Sequence, residues 1–238
     1  VTRVAAGSIH ALAIKNGKVI TWGSSVDGLA PAPSSTRSDV TAIAAGDRHS
    51  LAVKSGRVIA WGSNASGQTS VPKAARTGVR SVAAGVRHSV ALTRGGRVIV
   101  WGANDLGQTD VPAEALNGVD AIAAGSHFTI AVKDGKVIVW GYDSTGATDV
   151  PTILSSGVDL IAAGSTYGVA VKDGRVVVWG SDNDGDPAIG PSAVPRAARS
   201  GVTAVAAGTE HVLAVKKGGV ITWGSTANAL VPVPSAVR

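Results

Sequence analysis

One pattern, "VAAGxxHxLAxKxGxVxxWG", returns six times along the chain, and it limits the fold more than any other feature. Ala-Ala-Gly triplets end at Gly7, Gly46, Gly85, Gly125, Gly164 and Gly208, and Trp-Gly pairs begin at Trp22, Trp61, Trp101, Trp140, Trp179 and Trp223. The period is about 39 residues. A unit of this length cannot bury its apolar surface alone and must stack on its neighbours.

Within each unit the segments read as short strands. His49, Leu51 and Val53 alternate with Ser50, Ala52 and Lys54, the period-two signature of a strand with two unlike faces. Between the second and third strands stand "KNGK", "KSGR", "KDGK" and "KDGR", which predict tight hairpins. After each Trp-Gly comes a polar loop such as "SNASGQTSVP", with room for a brief fourth strand. Three or four antiparallel strands repeated six times predict an all-β, six-bladed β-propeller. The approximate repeats are 1–39, 40–78, 79–118, 119–157, 158–201 and 202–238, forming one domain. The chain opens and closes almost in frame, so the six blades are expected to close on themselves.

Composition excludes several classes. There is no Cys among the 238 residues, hence no disulfide, thiolate nucleophile or Cys-based zinc site. No apolar run is long enough for a membrane-spanning helix, and the first residues already belong to repeat one instead of a signal peptide. No GxSxG, Walker or GxGxxG motif appears on a suitable scaffold, so neither catalysis nor a cofactor is expected. The +6 net charge is distributed unevenly. Strand reversal gathers the hairpin cations, Lys54, Arg57, Lys133 and Lys136 among them, on one rim, and acidic loop residues on the other. The basic rim lacks interleaved aromatics, so nucleic acid is not the expected partner.

Three further sets bear on function. His10, His49, His88, His127 and His211 are read as one phase of the repeat, replaced in repeat five by Tyr167; one side chain per blade suits a hydrogen bond that holds the turn, and no shared metal. Asp182, Asp184 and Asp186 are spaced like the opening of a calcium loop, but the motif lacks its closing Glu, which leaves a variable polar loop. Phe128, Tyr142 and Tyr167, the non-Trp aromatics, are expected near the acidic rim with Arg48, Arg87, Asp105 and Asp143 as a protein-binding patch.

The ordered recurrence of Gly, His, Trp-Gly and Gly-Gln, clearest at Ala44 to Gln68 and Ala83 to Gln108, resembles the RCC1 repeat family. That resemblance implies a propeller scaffold with a loop-bearing binding face. The family includes a chromatin-associated exchange factor for the GTPase Ran. The short units ending in "VP" are similar to those of bacterial, secreted β-lactamase-inhibiting members, which implies a secreted monomer and a class A β-lactamase as one expected partner. The alternatives are a small-ligand or glycan-binding propeller and a structural or consensus-derived scaffold without a partner.

Overall fold

The computed structural model describes residues 1–23, 31–143, 146–180 and 193–224. They form six three-stranded antiparallel sheets, one per repeat, each in simple meander order. Unit 1 comprises β1 (Arg3–Ala6), β2 (His10–Lys15) and β3 (Lys18–Gly23), and unit 2 comprises β4 (Val40–Ala45), β5 (His49–Lys54) and β6 (Arg57–Gly62). Unit 3 has β7 (Val79–Ala84), β8 (His88–Thr93) and β9 (Val98–Gly102); unit 4 has β10 (Val119–Ala124), β11 (Phe128–Lys133) and β12 (Lys136–Gly141). Unit 5 has β13 (Val158–Ala163), β14 (Tyr167–Lys172) and β15 (Arg175–Gly180); unit 6 has β16 (Val202–Ala207), β17 (His211–Lys216) and β18 (Gly219–Gly224).

The hairpins follow from their turn residues. Ser55 and Gly56 have φ of 49° and 74°, and Asp134 and Gly135 have 51° and 72°. Two consecutive left-handed residues make the type I′ turn whose twist matches that of the flanking strands. Repeat three, with "TRGGRV", instead closes through Thr93 N–H to Arg97 O at 3.0 Å, with Gly96 left-handed at 76°. No fourth strand forms in the described linkers. The residues after each Pro wind into a short 3₁₀ turn, such as Lys73–Arg76, and its buried residue (Ala75, Ala115, Leu154 or Ala198) plugs the base of the next junction.

Five hydrophobic clusters hold the array together, and each joins one unit to the next. Between units 2 and 3, for example, Leu51, Val53 and Val58 pack on Val82, Ala91 and Trp101. The Trp of each unit thus faces the unit before it, as with Trp61 against Leu12 and Ile14 of unit 1. The recurrent polar residues serve the same junctions. Gln68 O accepts bonds from Trp101 Nε1 and Ser89 Oγ, both at 2.8 Å. Because Ser89 gives its proton to Gln68, it must accept from His49 Nε2 at 3.0 Å, which fixes the His49 tautomer. Gln108 O, Trp140, Thr129 and His88 repeat this arrangement one unit later. Gly, His, Trp-Gly and Gly-Gln are therefore parts of one bonded junction. The glycine is steric: a Cβ at Gly46 would strike both Gly85 O of the next unit and the His49 ring.

The histidine phase needs correction. Counted from the Ala-Ala-Gly glycine, Phe128 occupies in unit 4 the place of His49 and His88, and His127 precedes it at the place of Arg48 and Arg87. Phe128 opens β11 as His49 opens β5. Where the junctions of His49 and His88 have Ser89 and Thr129 on the next unit, the corresponding residue of unit 5 is Gly168, which has no hydroxyl.

The closure expected of six blades is not among the junctions found. The six Ala-Ala-Gly turns line one cavity of about 360 Å³, yet no hydrophobic cluster among the described residues joins unit 6 to unit 1. Trp22 is 53% exposed, whereas the other five Trp are 2–8% exposed.

Candidate functional site

Strand reversal places the Ala-Ala-Gly turns and the loops after Trp-Gly at the same end of every sheet, since His49 pairs with Gly62 and His88 with Gly102. Backbone bonds pin turn to loop: Ser63 N–H donates to Arg48 O at 2.8 Å, Ala103 N–H to Arg87 O at 2.9 Å, and Tyr142 N–H to His127 O at 3.0 Å. The loops are braced internally. Asn104 Oδ1 accepts from Thr109 N at 3.0 Å, and Asp143 Oδ1 accepts from Thr148 N at 3.1 Å in the equivalent place. Asp105 Oδ1 accepts from Gln108 Nε2 at 3.3 Å.

On this fixed backbone one turn position changes chemistry from unit to unit. It is Ile9, Arg48, Arg87, His127, Thr166 and Glu210 in order. The residue after Trp-Gly varies as well, with Ser63, Ala103 and Tyr142 in units 2 to 4. The Trp of the Trp-Gly pair is kept in all six units and the junction His in four, while this turn position takes five different residues, the mark of a scaffold carrying a separate surface.

Units 3 and 4 bring several of these side chains together. The Tyr142 ring meets the His127 imidazole edge-on, with centroids 6.3 Å apart and planes at 74°. His127 is held below the usual imidazole pKa, first by partial burial and then by the Arg87 charge, with Asp105 opposing. Arg87, Asp105, His127 and Tyr142 thus lie within electrostatic or van der Waals reach of one another. Tyr142 is 39% and Leu106 36% exposed. Arg48, Arg87, Asp105 and Asp143 are exposed, and Arg48 also approaches Asp47 at 3.6 Å.

Two of the expected patch residues lie elsewhere. Phe128 and Tyr167 are buried, at 2% and 0% exposure, because their phase of the repeat points into the junction. Tyr167 Oη lies 3.0 Å from Gly208 O and 2.8 Å from His211 O, and burial pushes its pKa up. His127 and Leu106 were missed by sequence reading. Counting each residue from its unit's glycine, instead of grouping histidines by type, separates His127 from the buried set.

The opposite rim is basic, but many of its cations are engaged. Lys54 Nζ donates to Ser35 O at 3.0 Å, Lys133 to Glu114 O at 3.1 Å, Lys172 to Ser156 O at 2.7 Å and Lys216 to Ala197 O at 3.0 Å. Each ties a hairpin to the carbonyl end of the adjacent 3₁₀ turn. Among the described residues no group of three or more His, Cys, Asp or Glu side chains is placed to hold a metal ion, and no helix is long and apolar enough to cross a membrane. Asp182, Asp184 and Asp186 lie outside the described residues.

Residues 40–68 and 79–108 match the family model described as the Regulator of chromosome condensation (RCC1) repeat. No curated protein matches the chain. Among solved structures, it is similar to the entire ectodomain of the Physcomitrella patens receptor kinase CR4, with 22% identity and a TM-score of 0.74 over 97% of this chain and 65% of that one. The CRINKLY WD40 ectodomain of the Arabidopsis thaliana receptor kinase ACR4 matches at 21% identity and a TM-score of 0.70, covering 97% of this chain and 82% of that one. Prp20p from Saccharomyces cerevisiae, described with its binding properties to Gsp1p and histones, matches at 21% identity and a TM-score of 0.68 over 93% of this chain and 71% of that one. At these identities the likeness establishes the fold. The chain spans 65% of the length of the CR4 ectodomain.

Proposed function

We propose that the chain is a non-enzymatic protein-binding module whose contact surface is the turn-and-loop face of units 2 to 4. The observation that carries this reading is the cluster of Arg87, Asp105, His127 and Tyr142, with Arg48, Leu106 and Asp143 alongside. These side chains vary at fixed backbone positions more than the junction Trp and His do. A half-exposed Tyr beside Arg and Leu is the composition of an interface anchor, and the flanking carboxylates supply orientation. Binding by Prp20p to Gsp1p and histones supports a protein ligand for this kind of scaffold. The class A β-lactamase expectation rests only on the sequence resemblance, and burial of Phe128 and Tyr167 leaves it one of its three non-Trp aromatic anchors.

The test is biolayer interferometry of the immobilised protein against three purified ligands: a class A β-lactamase, a Ran-type GTPase and core histones. Saturable binding to one of them should weaken about 30-fold in Tyr142→Ala, the effect of losing roughly 2 kcal/mol at an interface anchor. The melting temperature should stay within a degree or two, because among the described residues Tyr142 belongs to none of the five junction clusters. Binding that survives Tyr142→Ala and Arg87→Glu but disappears on Lys18→Glu/Lys136→Glu would move the function to the hairpin rim and sink this reading.

A further inference from the structure

The basic rim carries two clefts built to one plan, at units 2 and 5. In unit 2, Arg57, Val58 and Ile59 of β6, Val71 and Arg76 of the following linker and Ser35 of the preceding one line a space of about 490 Å³. In unit 5 the corresponding residues are Arg175, Val176 and Val177 of β15, with Val194, Arg199 and Ile153, around about 270 Å³. The hairpin lysines fix this correspondence, since Lys54 Nζ donates to Ser35 O at 3.0 Å and Lys172 Nζ to Ile153 O at 2.9 Å. Val58, Val176 and Val194 are buried and the four arginines exposed, so each cleft has an apolar floor and two guanidinium groups at its rim.

The arginines are held in place but not neutralised. Arg76 Nη2 donates to Val71 O at 3.2 Å, and Arg199 Nε and Nη2 donate to Val194 O at 3.2 and 3.1 Å. Arg57 Nε donates to Arg76 O at 3.1 Å, which leaves its two Nη groups without a hydrogen bond among the described residues. Among those residues no carboxylate pairs with Arg57, Arg76, Arg175 or Arg199. Neither cleft has an acidic residue in its lining.

Unit 4 supplies the missing partner from within the chain. There Lys136 opens the third strand as Arg57 and Arg175 do, and Glu114 stands at the place of Ser35 and Ile153, because Lys133 Nζ donates to Glu114 O at 3.1 Å. The Glu114 carboxylate lies 2.8 Å from Lys136 Nζ. In units 2 and 5 a Ser and an Ile take that position, and the cation borders an open apolar cleft instead. A guanidinium presents parallel N–H donors that match a carboxylate, and the valine floor favours a hydrocarbon group attached to it.

We propose that these two clefts bind small monocarboxylates with a hydrocarbon tail. The carboxylate sits on Arg57 or Arg175 as Glu114 sits on Lys136, and the tail lies on Val58 and Val71 in unit 2 or on Val176 and Val194 in unit 5. The volume of the unit 2 cleft falls in the range of small-molecule sites. Both clefts lie at the opposite end of the sheets from the loop face, so the proposal stands apart from the protein-binding reading.

The experiment titrates sodium octanoate into the ¹⁵N-labelled protein at physiological salt and follows backbone amides by NMR. Saturable shifts should appear at Val58, Ile59 and Val71 and at Val176, Val177 and Val194, while Val137 and Ile138 of unit 4 stay unmoved. Acetate and 1-octanol should each bind at least about tenfold more weakly, the first lacking the tail and the second the charge. Ser35→Glu/Ile153→Glu places a carboxylate on each arginine from within and should weaken octanoate about tenfold or more without lowering the melting temperature, because both positions are exposed. Glu114→Ser/Ser155→Arg should open a third site, seen as new shifts at Val137 and Ile138. Tyr142→Ala should leave the titration unchanged, which separates this site from the loop face. Equal shifts at unit 4 in the unaltered protein would show that surface charge alone attracts the anion, and 1-octanol binding as tightly as octanoate would leave the arginines no part. Either result, undiminished binding in Ser35→Glu/Ile153→Glu, or no saturable shift at all would overturn the proposal.

Discussion

Replacing Trp101 with alanine should lower the melting temperature by roughly 10 °C, whereas the same change at Trp22 should lower it by no more than about 3 °C. Trp101 is 8% exposed, packs in the cluster that joins units 2 and 3, and donates Nε1–H to Gln68 O at 2.8 Å. Truncating a buried Trp costs about 3–5 kcal/mol, from lost apolar contact and an incompletely collapsed cavity. The indole bond adds about 1 kcal/mol. Trp101→Phe should lie between, since it keeps most of the volume and loses the donor. Trp22 occupies the same phase but is 53% exposed, so little buried area is lost. Thermal melts by near-UV circular dichroism on the four proteins decide the matter. Equal losses at Trp22 and Trp101 would mean that unit 1 is covered in solution, and the open junction would have to be abandoned.

Acidification should unfold the protein well before its carboxylates are neutralised. Burial lowers the pKa of His49 from 6.5 to about 4 and of His88 to about 3, with neighbouring histidines at the array's inner edge adding to the effect. Both are neutral in the folded state, with Nε2–H donated to a hydroxyl and Nδ1 unpaired. Above pH 6.5 neither state binds the proton and the junctions are fully stable. As pH falls from 6.5 toward 4 and then 3, the unfolded chain takes up protons that the folded one refuses, so stability declines throughout that window. The two sites together contribute several kcal/mol of this loss, a large share of the 5–15 kcal/mol typical of a folded domain. Urea midpoints at pH 7, 6, 5 and 4 should fall steeply. His49→Gln/His88→Gln should start lower at pH 7 but show a much shallower decline to pH 5. An unchanged slope in the double variant would show that other groups drive acid unfolding.

Both expectations rest on residues that the repeat itself announces. Reading Gly, His, Trp-Gly and Gly-Gln in fixed order was enough to place three or four strands per unit and the tight hairpins between them, because strand alternation and turn chemistry are local properties. The expectation that the repeated His holds a turn was close. Its partner, however, is a hydroxyl on the adjacent unit, a contact about 40 residues away that no local pattern expresses. The expected binding patch was legible in part. Arg48, Arg87, Asp105, Tyr142 and Asp143 are on the loop face because strand direction alone puts them there. Phe128 and Tyr167 are interior because a one-residue difference in phase turns a side chain to the other side of the sheet.

What the sequence by itself determined is the unit: its length, its meander of short strands and the tight hairpins that gather cations at one end. Only the tertiary structure decided which junctions are made. Every unit carries the same meander pattern, so the strands of units 1 and 6 read like the others until they are packed. Exposure of Trp22, Val4 and Ala206 then follows from packing, among the described residues, against a neighbour on one side only. Local propensity and periodicity act within a few residues, whereas burial depends on which surface arrives from elsewhere in the chain.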